Sequence, residues 1–172
     1  MQSSAKNRKH AAACTDPKHH VHHVDEFVGA VERVCIERGL RLTMLRADVL
    51  RLVAESDRPV KAYDLLDRIH ASKAASAPPT VYRALDFLLG HGFIHKLESI
   101  NSFVACHHPS VQHTVPFLIC DNCHLAVEME DERIPSLLDE KARALGFTPQ
   151  AQTLEVHGLC AACSEIASRP GA

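Results

Sequence analysis

No stretch of this 172-residue chain approaches the roughly 20 consecutive apolar residues that a membrane-spanning helix requires. The polar start from Met1 to Lys9 also lacks the apolar core of a secretory signal. Together these absences predict a cytoplasmic protein without a membrane partner. Two catalytic signatures are missing as well: HExxH does not occur, and the deaminase pairing of HxE with PCxxC is not found, since Ile119 rather than proline precedes Cys120. Their absence argues against a zinc enzyme, and no small-molecule substrate is expected. There is no internal repeat. A hydrophobic fraction of 46% with 23% charged residues sets general disorder aside and suits one compact domain or two small ones.

The net charge of −2 is unpromising for a nucleic-acid binder until the chain is divided. Residues 1–100 carry 15 Lys or Arg against 12 Asp or Glu, whereas residues 101–172 carry 4 against 9, so the halves are +3 and −5. That asymmetry permits a cationic DNA-facing module joined to an acidic one, without establishing DNA binding. The seven cysteines are an odd number, and four of them fall in two CxxC pairs rather than spreading as a disulfide framework would. Reduced, metal-binding thiols fit this pattern and a cytoplasmic address.

Residues 1–24 hold Lys6, Arg8, Lys9, Cys14 and the histidines His19, His20, His22 and His23 without an apolar period, and read as a disordered tail with no dedicated site, weak metal capture being the alternative. From Asp25, a plausible N-cap, Phe27, Val31, Val34 and Cys35 recur at helical spacing until Gly39. Thr43 can cap a second helix carrying Leu45, Val49, Leu52 and Val53. Ala62, Leu65, Leu66 and Ile69 make a third, followed by a small-residue connector from Ser72 to Ala77. Pro78 and Pro79 can open a fourth, with Val81, Leu85 and Leu88 on its apolar face. Phe93, His95 and Leu97 then alternate with Ile94, Lys96 and Glu98, and a second β-prone run spans Phe103–Cys106.

Helices followed by a hairpin predict a winged helix-turn-helix whose helix from about Thr80 to Leu89 enters the major groove. Its apolar face leaves Thr80, Tyr82 and Arg83 for DNA. Arg46, Arg41 and Lys61 are further phosphate-contact candidates. Beyond a polar, proline-bounded hinge, Phe117–Cys120 and Leu125–Glu130 read as strands, Ile134–Leu145 as a helix and Thr153–His157 as a strand. The fold class is therefore α+β: a winged-helix domain over residues 25–107, a hinge over 108–116 and a small α/β domain over 117–172.

Cys120, Cys123, Cys160 and Cys163 supply four thiolates, each pair close enough in sequence to grip one tetrahedral ion. Zinc is the natural occupant, and four sulfurs leave no position for a catalytic water, so the site is structural. Redox thiols and an iron–sulfur cluster are the competing readings. A second constellation, His95, Cys106, His113 and Glu128, is scattered along the chain, yet the expected fold puts it on wing, hinge and following strand. One thiolate, two imidazoles and one carboxylate can hold an exchangeable zinc. Taken one by one, these residues also suit surface or core positions. His107 and His108 read as solvated hinge residues, with auxiliary metal ligands as the alternative, His70 and His91 as surface, Cys35 as core, and His157 as a support of the sheet near the cysteines.

The segments Val81-Tyr82-Arg83-Ala84-Leu85-Asp86-Phe87-Leu88, Ala62-Tyr63-Asp64-Leu65-Leu66 and His157-Gly158-Leu159-Cys160-Ala161-Ala162-Cys163 resemble the ferric uptake regulator family, and within it the zinc-uptake branch. The resemblance covers about residues 25–167. It implies a winged helix, a second domain that forms a two-fold homodimer, and metal binding that orients one domain on the other. It also implies two zinc ions per chain: a structural one on Cys120, Cys123, Cys160 and Cys163, and a regulatory one on His95, Cys106, His113 and Glu128. The segment His107-His108-Pro109-Ser110-Val111-Gln112-His113 departs from the dense histidine and aspartate motif of the iron- and peroxide-sensing branches. The expected function is zinc-dependent binding to a palindromic operator in double-stranded DNA, chiefly repressing zinc-uptake genes. A zinc enzyme, or a zinc-storage or adaptor protein, is the alternative from another class; the latter leaves the winged-helix pattern unexplained.

Overall fold

The computed structural model describes residues 23–72, 78–110 and 114–168. The reading of the N-terminal tail, except for its last two residues, the connector over 73–77 and His113 lie outside the described residues.

Four helices come first: α1 Val24–Glu37, α2 Met44–Ala54, α3 Ala62–Ser72 and α4 Pro78–Gly90. The first begins one residue before the expected cap. His23 occupies the N-cap position without a side-chain capping bond, and Asp25 sits in the first turn, where its carboxylate accepts from Arg51 Nη1 at 2.5 Å. An acidic group there also faces the positive end of the helix dipole. Gly39 closes α1 at φ 65°, with Leu40 N–H donating to the Cys35 carbonyl at 2.7 Å and Gly39 N–H to that of Ile36 at 3.1 Å. This paired closure needs a left-handed residue, which glycine supplies at no steric cost. Thr43 caps α2 as expected, its hydroxyl accepting from Arg46 N–H at 3.4 Å.

The apolar faces of these helices meet in one core built on Val31, Val49, Leu50, Leu65, Ile69, Val81, Leu85 and Leu88. An antiparallel hairpin closes it: β1 Ile94–Leu97 on β2 Ser102–Ala105, with Ile94 opposite Ala105 and Leu97 opposite Ser102. Asn101 takes the left-handed position of the turn at φ 48°, a conformation its short polar side chain tolerates. Val60 exchanges both backbone bonds with Phe103, at 2.9 and 2.8 Å, and so ties the α2–α3 connection to the wing.

The expected in-and-out alternation along β1 does not hold. Phe93 and Ile94 are both buried in the helical core, whereas Leu97 joins a second cluster with Phe117 and Ile119. The strand lies between two cores, so a period of two cannot describe it.

A second sheet has the order β4-β3-β5, from β3 Phe117–Cys120, β4 Ala126–Glu128 and β5 Glu155–Gly158. The β3–β4 pair is antiparallel and β3–β5 is parallel. Parallel neighbours need a crossover, and α5 Arg133–Ala144 lies in it. A seven-residue α6, Ala161–Ala167, follows Cys160 and is not foreseen from the sequence. One face of this sheet carries Phe117 and Ile119 towards the wing. The other carries Leu118 and Val156, opposite one another in register and both exposed, with Leu137 and Leu138 of α5 exposed as well. Among the described residues, no helix is long and apolar enough to cross a membrane.

Candidate metal centres and nucleic-acid interface

Cys120 ends β3 and Cys160 lies two residues beyond the end of β5. Because these strands run parallel, with Cys120 opposite Gly158, the two CxxC loops emerge at the same end of the sheet. The first loop turns back through His124 at φ 57°, whose N–H donates to the Cys120 carbonyl at 2.8 Å. The second runs into α6, with Cys160 at its N-cap position and Cys163 in its first turn.

The four sulfurs lie within 4.8 Å of one another, and Cys123 Sγ stands 3.7 Å from Cys160 Sγ. A zinc–sulfur bond of about 2.3 Å in a tetrahedron demands sulfur pairs about 3.8 Å apart, whereas a disulfide would bring them to about 2.0 Å. The spacing fits a metal. Cys160 N–H donates to Cys120 Sγ and Asn122 Nδ2 to Cys163 Sγ, each at 3.3 Å. The Cys123 amide first, with that of Cys160, draws the Cys120 thiol down to about 6 and favours its ligating thiolate form.

The second constellation gathers from three elements. His95 on β1, Cys106 just past β2 and Glu128 at the end of β4 bring their ligand atoms within 4.8 Å of one another. Cys106 and Glu128 are buried, and His95 Nε2 lies 4.0 Å from Glu128 Oε2. Burial, with the Glu128 charge adding to it, pushes the Cys106 thiol up to about 12. A thiolate buried beside a carboxylate is costly, and a divalent cation held between them would reverse that cost.

His107 lies beside the mixed cluster rather than in solvent. It is half-buried, its Nδ1 lies 3.9 Å from Glu128 Oε2, and its N–H donates to the same oxygen at 3.5 Å. Its place directly after Cys106 is the signal that could have put it in the cluster. His108 is exposed and pairs with Glu130 at 2.9 Å. His91 is half-buried rather than on the surface, its ring 4.6 Å from that of Phe87. His70 is exposed, Cys35 is buried, and His157 bonds to Asp121 within the first CxxC loop at 2.8 Å.

On α4, Val81, Ala84, Leu85 and Leu88 turn into the core, leaving Thr80, Tyr82 and Arg83 exposed. Arg41 and Lys61 are exposed too. Arg46 is half-buried: its guanidinium stacks 3.5 Å above the centre of the Phe87 ring, and Nη1 donates to the Arg41 carbonyl. It therefore ties the start of α2 to α4.

These features agree with comparisons to known proteins. The zinc uptake regulation protein of Escherichia coli K12 is 44% identical over 142 residues, covering 82% of this chain and 83% of that protein. A zinc uptake regulator complexed with zinc and DNA superposes with a TM-score of 0.81 at 42% identity, covering 85% of this chain and 98% of that one. The crystal structure of holo XcZur matches with a TM-score of 0.77 at 67% identity, over 81% and 98% of the two chains. The model of the ferric uptake regulator family matches residues 37–157, from the end of the first helix to the last strand, and the chain belongs to that family.

Proposed function

We propose that this chain is a zinc-responsive, dimeric DNA-binding transcription regulator, chiefly a repressor of zinc-uptake genes when zinc is bound. The observation that carries the reading is the convergence of His95, Cys106 and Glu128 from the wing and the second sheet. A ligand that binds such a junction favours one arrangement of its parts to the extent that it binds that arrangement more tightly. Superposition on a zinc- and DNA-bound relative over 85% of this chain, in one frame, supports the described arrangement as the DNA-binding one.

We assign residues 25–107 to DNA binding, 108–116 to the hinge and 117–172 to dimerisation. Zinc held by His95, Cys106, Glu128 and the expected fourth ligand His113 would supply the charge that compensates the buried carboxylate and thiolate. A second zinc would sit on Cys120, Cys123, Cys160 and Cys163, closed to water and structural. Exposed Leu118 and Val156 give the second sheet an apolar outer face that a second copy of the chain would cover. In the dimer two α4 helices would read the halves of a palindrome, Arg83 pairing with a base edge and Arg41 and Lys61 with phosphates. Arg46 would act mainly by bracing α4 from below. Reduced thiols suit the cytoplasm.

The test compares a palindromic operator with a scrambled duplex at fixed salt across buffered zinc concentrations. The chain should prefer the palindrome only with zinc, and His95→Ala with Cys106→Ala should abolish that dependence. Equal responsiveness of the double variant to zinc and chelator overturns the proposal.

A further inference from the structure

The turn of the wing, at residues 98–101, is held by the second sheet. Glu155 Oε1 accepts from Glu98 N–H at 2.6 Å and Oε2 from Ser99 N–H at 3.0 Å, so one carboxylate captures two successive backbone donors. Beside it, His157 Nε2 meets Ser99 Oγ at 2.9 Å while Nδ1 meets Asp121 Oδ1 at 2.8 Å. Glu155 and His157 are two apart on β5, on the face that also carries Phe117 and Ile119. Burial alone would raise the Glu155 carboxyl; the Ser99 side chain and the Ser99 and Glu98 amides outweigh it and hold it below the usual carboxylate range.

We propose that Glu155 and His157 form a latch, separate from both metal sites, that holds the wing turn on the second sheet and thereby sets how much zinc is needed for DNA binding. The inference rests on the reading above, in which zinc and DNA favour the same arrangement. None of the latch residues belongs to either donor set, and two of the donors it captures are backbone amides that exist whether or not zinc is present. The neighbouring cluster of Leu97, Phe117 and Ile119 favours contact without direction, whereas charge-assisted bonds to two consecutive amides select one position of the turn. Asp121 lies between Cys120 and Cys123, so His157 also ties the latch to the first CxxC loop.

A latch of this kind raises the fraction of metal-free chain already in the binding arrangement, and apparent zinc affinity scales with that fraction. Glu155→Gln keeps the shape but removes the charge and leaves one acceptor oxygen for two N–H donors. In full-length protein with the four-cysteine site loaded, the free zinc giving half-maximal operator occupancy should rise about tenfold, with operator affinity at saturating zinc changed by less than about twofold. Glu155→Asp, which keeps the charge at shorter reach, should fall between, and His157→Gln should shift the midpoint the same way by less.

Amide exchange is read in parallel on zinc-depleted protein that retains the four-cysteine zinc. Glu98 and Ser99 should exchange several-fold faster in Glu155→Gln, with the helical core unchanged. An unmoved zinc midpoint, unchanged exchange at these two amides, or an equal loss of operator affinity at saturating zinc overturns the latch. Should the unaltered chain bind the duplex regardless of zinc, the functional reading fails instead, and amide exchange still decides whether the latch exists.

Discussion

Leu97→Ala separates joining of the two units from folding of either one. Leu97 is fully buried, yet it belongs to the cluster with Phe117 and Ile119 rather than to the helical core. Truncation removes three carbons, worth about 2.4 kcal/mol at roughly 0.8 kcal/mol per buried methylene, and an incompletely collapsed cavity raises the cost to about 3 kcal/mol. Since Leu97 makes this contact from the wing to the second sheet, the loss falls on the joined arrangement. About 3 kcal/mol corresponds to a factor of roughly a hundred in that equilibrium. In zinc-buffered anisotropy titrations of an operator duplex, the zinc midpoint should therefore rise by up to about a hundredfold. Leu50→Ala, buried in the helical core, provides the contrast: it should lower the melting temperature of the DNA-binding unit and leave the zinc midpoint near its original value. If Leu97→Ala instead lowered that melting temperature as Leu50→Ala does, with the zinc midpoint unmoved, the assignment of Leu97 to the junction would be refuted.

Replacing Cys123 or Cys160 by Ser should remove one tightly held zinc per chain and expose residues 117–168 to proteolysis, because metal binding at such a site contributes directly to folding; metal analysis and limited digestion check this. At the mixed site the Cys106 thiol, raised to about 12, is protonated in the metal-free form at ordinary pH and must lose its proton on binding. Apparent zinc affinity should thus increase with pH, by about tenfold per unit from this group alone between pH 6 and 8.5, and chelator competition at several pH values should show that slope. Arg83→Ala should cost about 1–3 kcal/mol in operator binding and relax preference at one base position, whereas Lys61→Ala should weaken all duplexes alike and reduce the salt slope by about one. Both are measured by binding titrations over a range of salt and operator variants.

Much of the fold was legible because its signals are local. Helical spacing of Val81, Leu85 and Leu88, the cap at Thr43 and the left-handed stop at Gly39 each act within a few residues, and each element appears close to its expected limits. The Cys120 and Cys160 pairs were legible for the same reason, since two thiolates three residues apart already form half of a tetrahedral site. His107 stood between two readings, solvent or metal cluster, because its placement depends on Glu128, 21 residues away. Arg46 looked like a surface cation until the ring of Phe87 was placed beneath it.

The sequence by itself determined which groups could bind a metal and which helical face is apolar, since donor chemistry and periodicity belong to residue types and their order. Only the tertiary structure decided that β3 and β5 run parallel, bringing the two cysteine pairs to one end of the sheet, and that β1 serves two cores at once. It alone also set the Glu155 carboxylate over the wing turn, 56 and 57 residues away in sequence. Strand direction and contact between distant segments follow from burying apolar faces together, a property of the whole chain that no local window contains.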